Sequence, residues 1–93
     1  MHITELVWSE EAVLHIQKKH NVEPEEVEEI CFSEIPPLVE VGRGGAPLYY
    51  VLGQSSSGRC LFVVARYLFR GKAKVITARD MDSAERKRYH RKR

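Results

Sequence analysis

The sequence predicts an α+β fold in a single domain over residues 1–93: two N-terminal helices, a four-stranded antiparallel sheet and a C-terminal helix. Two observations carry this expectation. Apolar residues recur at helical intervals as far as Phe32, and beyond Pro36 and Pro37 the period falls to two. The alternating stretches are then joined by turns too short for parallel crossovers, so the strands form an antiparallel meander.

Ser9 caps the first helix, which runs from Glu10 to about Lys19. Glu10 and Glu11 suit its positive end, and Lys18 and Lys19 its negative end. Ala12, Val13 and Ile16 form its apolar stripe. "HNVEP" breaks it, and Pro24 opens a second helix as a first-turn proline. Val27, Ile30 and Cys31 share one face of that helix, with the glutamates outside. "LVEVGR" is the first strand, "GGAP" a turn, and "LYYVLGQ" the second strand. "SSSG" leads into "RCLFVVARYLF", apolar on both faces and therefore central. "RGK" turns into "AKVITAR", the fourth strand. Asp82 caps the last helix, with Glu85 in the capping-box position. The closing "HRKR" reads as a mobile electrostatic contact.

A chain this short buries a thin core, so help from a partner chain is expected. The longest apolar stretch, residues 61–65, is too short to span a membrane. "MHITELVWSEE" has no apolar signal core. A cytoplasmic protein is therefore expected, with Cys31 and Cys60 as free thiols. No carboxylate or Cys/His set has metal-ligand spacing, so no metal or other cofactor is expected. The net charge of +2 conceals a division. Residues 1–40 hold ten Glu and two Lys, a balance of −8; residues 41–93 hold thirteen Lys and Arg against three acids, a balance of +10. Either the basic part attracts a polyanion, or the two parts attract each other across the fold.

Four stretches carry a resemblance: Trp8, "KKHNVEPEEVEEICF", "YYVLGQSSSGRCLFVVA" and "VITARDMDSAERKRY". Together they resemble the BrnT family of bacterial toxins across nearly the whole chain, most specifically in "TAR…ER..Y". The resemblance implies a RelE-like fold and endoribonuclease activity that arrests translation. It also implies neutralisation by a DNA-binding antitoxin of the ribbon-helix-helix type, BrnA-like, encoded beside it. A homodimer and a toxin–antitoxin heterotetramer are both open. The chain departs from the family pattern in three places. Asn21 stands at a family glycine, a mild change because Asn tolerates the left-handed conformation. Lys74 stands where an arginine precedes the Ile pair. "GRGGAP" lacks the acidic residues of that loop.

RNA cleavage without a metal needs a base for the ribose 2′-OH, cations for the phosphorane, and an acid for the leaving 5′ oxygen. His20 is the acid/base candidate, because histidine changes charge near neutral pH; its alternative is a helix C-cap. Lys19 either holds phosphate or completes the helix end. His2, His15 and His90 carry no signal beyond surface placement. In "KVITARD", Ile76 and Ala78 alternate with Val75, Thr77 and Arg79. If the first pair packs on the helices, Arg79 projects from the open sheet face, where Arg66 joins it. Two arginines there fit a phosphate, or pair with the acidic half. Lys74 takes the role of the family arginine. Glu85 is a catalytic or a capping residue. Tyr89 stacks on a base or packs on the sheet, and Arg86 beside it meets a phosphate or water. Arg91, Lys92 and Arg93 add charge for RNA. The joint expectation is that His20 moves a proton and Arg79 stabilises the phosphorane in one pocket. A non-catalytic RNA-binding domain and a protein-interaction module on the same scaffold remain open as alternatives.

Overall fold

The computed structural model describes residues 3–92. The element order is β1 (Glu5–Val7), α1 (Glu10–His20), α2 (Pro24–Cys31), β2 (Leu38–Val41), β3 (Leu48–Gln54), β4 (Cys60–Phe69), β5 (Lys72–Asp80) and α3 (Ser83–Lys92). Local signals set most of these boundaries. The Ser9 hydroxyl accepts from the Ala12 N–H at 3.1 Å. Asn21 takes the left-handed conformation (φ 54°, ψ 40°) and ends α1, with the Val22 N–H reaching the Ile16 carbonyl at 3.0 Å. Pro24 occupies the first turn of α2, where the Glu26 carboxylate reaches back to accept from the Glu23 N–H. Asp82 and Glu85 form a reciprocal capping box: Asp82 accepts from the Glu85 N–H at 2.8 Å, and Glu85 from the Asp82 N–H at 3.0 Å.

The sheet order is β1-β5-β4-β3-β2. β2 to β5 form the expected antiparallel meander, and β4 is the central strand. The expected four-stranded antiparallel sheet is instead a five-stranded mixed one. β1 pairs in parallel with β5, placing Glu5 opposite Lys72 and Val7 opposite Lys74. A three-residue strand has no pattern of its own, and its pairing is made with residues at the far end of the chain.

α1 and α2 cover one face. Ile16, Val22, Val27 and Ile30 are buried there against Val51, Leu61, Val63, Val75 and Ala78. α2 lies so close that a Cβ on Gly53 would meet the Ile30 Cβ at 2.8 Å. The opposite face is not open along its whole length. Met81 and Tyr89, at and beyond the end of β5, bury themselves with Leu52 and Phe62 and hold α3 against it. The basic end is likewise the last turn of α3, helical through Lys92, rather than a mobile extension.

A bulge in β5 corrects the expected parity. Thr77 pairs with Val64 and Val75 with Ala65, leaving Ile76 as the extra residue. Val75 and Ala78 therefore both reach the helix-side core, and Ile76 is 42% exposed. Beyond the bulge Arg79 pairs with Phe62 and lies on the α3 side, as expected but by a different phase.

Candidate functional site

The polar side chains converge at the C-terminal end of β5. The last turn of α1 arrives there from one face and the first turn of α3 from the other. Asp80 is the meeting point. Its carboxylate accepts from Arg59 Nε at 2.8 Å and from the same guanidinium's second nitrogen at 3.2 Å. That hydrogen bond holds Asp80 below the usual carboxylate range against partial burial, with the charges of Arg59, Arg86 and His20 adding to the effect.

Arg59 organises this corner. Besides Asp80 it donates to the Glu26 carboxylate at 3.0 Å and to the main-chain oxygens of Asn21 (2.8 Å) and His20 (3.2 Å). One guanidinium thus caps the carbonyl end of α1 and ties α2, β4 and β5 together. Sequence reasoning missed it. A lone arginine after "SSSG" carries no sign of carboxylates that come from distant segments.

On the α1 side, His20 is half-buried and its ring stands edge-on to His15, with centroids 5.3 Å apart and planes at 74°. His15 Nε2 lies 3.1 Å from the Thr77 hydroxyl. Lys19 is one turn beyond His15 on the same helix face and is exposed, and its side chain meets no carboxylate among the described residues. His15 is the second residue that the sequence reading passed over. Its spacing of five from His20 does not put the two on one helical face, so the sequence gives no sign that the rings meet.

The structure does not bring His20 and Arg79 into contact. Arg79 lies on the α3 side of the sheet, its guanidinium 4.4 Å above the centre of the Phe62 ring. It makes a two-pronged bond to Glu85 (2.8 and 2.9 Å) and donates to the Asp80 carbonyl at 3.0 Å. Glu85 is buried, and its carboxylate is filled by Arg79 and by the Asp82 N–H. Arg79 holds Glu85 well below the usual carboxylate range. A carboxylate so engaged is a poor proton acceptor, so this pair positions α3 and is not free to do chemistry. Glu85 takes the capping-box role named as its alternative, and Arg79 forms an ion pair, though with Glu85 of the basic part rather than with the acidic half.

The remaining candidates divide. Tyr89 is 2% exposed in the α3 core, so its ring packs and is not available for base stacking. Arg86 is exposed and donates to the Met81 carbonyl at 2.9 Å, beside Asp80. Arg91 and Lys92 are exposed in the last turn of α3, and Arg93 lies outside the described residues. Arg66 and Lys74 are exposed cross-strand neighbours, but toward the other end of β5. The acidic and basic parts of the chain do pair in places, through Arg59–Glu26 and Arg88–Glu40. No helix among the described residues is long and apolar enough to cross a membrane.

No family model and no curated protein matches the chain. A solved structure does. The crystal structure of the Brucella abortus ribonuclease toxin BrnT superposes with a TM-score of 0.69 and 16% sequence identity, covering 86% of this chain and 99% of that one. The chain has a BrnT-like fold. That likeness of fold extends over nearly the entire length of the BrnT structure.

Proposed function

We propose that this protein is an endoribonuclease toxin that cuts RNA without a metal and so inhibits translation in the cytoplasm, held in check by a ribbon-helix-helix antitoxin of the BrnA kind. The observation that carries this reading is the fold shared with a ribonuclease toxin over 99% of that toxin's length.

The residues at the end of β5 are suited to the chemistry. One imidazole of the His15–His20 pair takes the 2′-OH proton, and the 2′ oxygen attacks the adjacent phosphorus. The other imidazole donates a proton to the departing 5′ oxygen, leaving a 2′,3′-cyclic phosphate. Lys19, exposed beside them, offsets charge on the phosphorane, and Arg86 draws the flanking backbone in. Arg59 holds the α1 terminus, and the Arg79–Glu85 pair holds the start of α3, on either side of the end of β5.

Incubation of purified protein with single-stranded RNA in EDTA tests the proposal. Cleavage is expected, and its rate falls by about 10²–10⁴ in His20→Ala and by about 10²–10³ in Lys19→Ala, with the melting temperature left in place. Salt-sensitive RNA binding without cleavage selects the non-catalytic RNA-binding reading instead.

A further inference from the structure

The far end of the β4–β5 hairpin carries a second surface, remote from the site above. From Cys60 to Arg79 the chain contains no acidic residue. Arg66, Arg70, Lys72 and Lys74 crowd the outer half of the hairpin, and none of the four forms an ion pair among the described residues. Arg66 and Lys74 are direct cross-strand neighbours, as are Phe69 and Lys72. Like charges side by side on a sheet are unfavourable unless something negative covers them. Glu5, in register with Lys72, is the nearest carboxylate by strand pairing and does not bond it.

Apolar side chains are exposed among these cations. Phe69 is 56% exposed, Ile76 42% and Leu68 39%. Lys72 Nζ sits 5.6 Å from the centre of the Phe69 ring. The turn itself is also unusual. Arg70 and Gly71 both have positive φ, 50° and 81°, as a two-residue hairpin turn of type I′ requires. Asn is the favoured residue at the first of these positions, and an arginine there is strained. The turn therefore holds a cation at the tip at some cost in stability.

We propose that this hairpin is a separate RNA-binding arm, which grips single-stranded RNA away from the cleavage site by stacking a base on Phe69 and pairing phosphates with Arg66, Arg70, Lys72 and Lys74. The proposal rests on the RNA reading of the preceding subsection. Exposed aromatic and cationic side chains together are what sequence-tolerant single-strand binding uses. Lys72 and Lys74 project from one face about 7 Å apart, an interval of the same order as that between phosphates in an extended strand. β5 separates the tip from Asp80 by about 26 Å, so the arm holds RNA that the cleavage site does not touch, and lengthens the stretch of RNA the protein needs.

Anisotropy with a labelled, cleavage-resistant 2′-O-methyl RNA tests this across a salt series. Phe69→Ala is expected to weaken binding by about 5- to 100-fold. Changing Arg66, Lys72 and Lys74 to Ala is expected to lower the log–log salt slope by roughly 2, at about 0.7 per lost phosphate contact. Arg70→Asn is the discriminating variant: it suits the turn better, so the melting temperature holds or rises while RNA affinity falls. Wild-type binding with a steep salt slope that all these variants retain overturns the arm and leaves the RNA reading standing. Absence of any RNA binding at low salt overturns both. Phosphatidylserine vesicles that bind the wild type but not the variants, with RNA binding unaltered, overturn the proposal in favour of a membrane contact.

Discussion

Replacing Arg79 by alanine separates a structural arginine from a substrate-binding one. Arg79 makes two bonds to the buried Glu85, a third to the Asp80 carbonyl, and lies over Phe62. Its side chain is 37% exposed against 11% for Glu85. Breaking a fully buried pair costs about 3–5 kcal/mol, and an exposed pair about 0–1 kcal/mol. This half-screened pair falls between, at about 2 kcal/mol after discounting for solvent. In a domain of this size that lowers the melting temperature by about 8–16 °C. The pH dependence has a definite sign. Arg79 depresses the Glu85 pKa in the folded state, so the stabilisation is present above the ordinary carboxylate pKa of about 4.3 and is lost as pH falls through the folded value. The gap between wild type and Arg79→Ala should therefore hold at neutral pH and narrow only as the pH falls below about 4.3. Thermal unfolding by circular dichroism measures both quantities. RNA cleavage measured well below the variant's melting point should survive. An unchanged melting temperature with cleavage abolished would falsify the structural role and return Arg79 to the phosphate.

Three further outcomes follow from the geometry. Arg59→Ala removes the clasp on α1, Glu26 and Asp80; it should destabilise the fold by about 2 kcal/mol and also impair cleavage by loosening the α1 terminus, whereas a stable variant with full activity would show that the clasp positions nothing. Gly53→Ala forces a Cβ against Ile30 at 2.8 Å; overpacking of this kind costs about 1–3 kcal/mol, seen as a shifted denaturant midpoint, and an unshifted midpoint would mean α2 is not seated that closely. Burial, reinforced by Glu28, pushes the Cys31 thiol up to about 12, so iodoacetamide at pH 8 should leave Cys31 unmodified by mass spectrometry until the protein is denatured; rapid labelling of the native protein would contradict that environment.

The sequence alone determined the elements whose causes are local. Ser9 and Asn21 bracket α1, Pro24 opens α2, Asp82 and Glu85 cap α3, and the stretch "LYYVLGQ" marks β3 over its full length. In each case the group that sets the boundary lies within a few residues of it, so composition and spacing suffice. Tertiary structure decided what depends on segments far apart in the chain. β1 exists because residues 5–7 find the edge of β5. The bulge at Ile76 reset which side chains of β5 face the helices, and α3 settled on the face that was expected to be open. The candidate site was legible only in part. Lys19 and His20 were visible as a cation and an imidazole at a helix end, but the five-residue spacing of His15 from His20 gave no sign that the two rings meet. Arg79 and Glu85 were identified as residues of interest, yet six residues apart they give no hint that their charges meet each other. Arg59 gathers Glu26, Asp80 and the end of α1 from three separate stretches. Helical and strand periods report which way a side chain points along its own element. Which opposite charge it meets is fixed by packing, and that decides whether an arginine is held by its own protein or left for a phosphate.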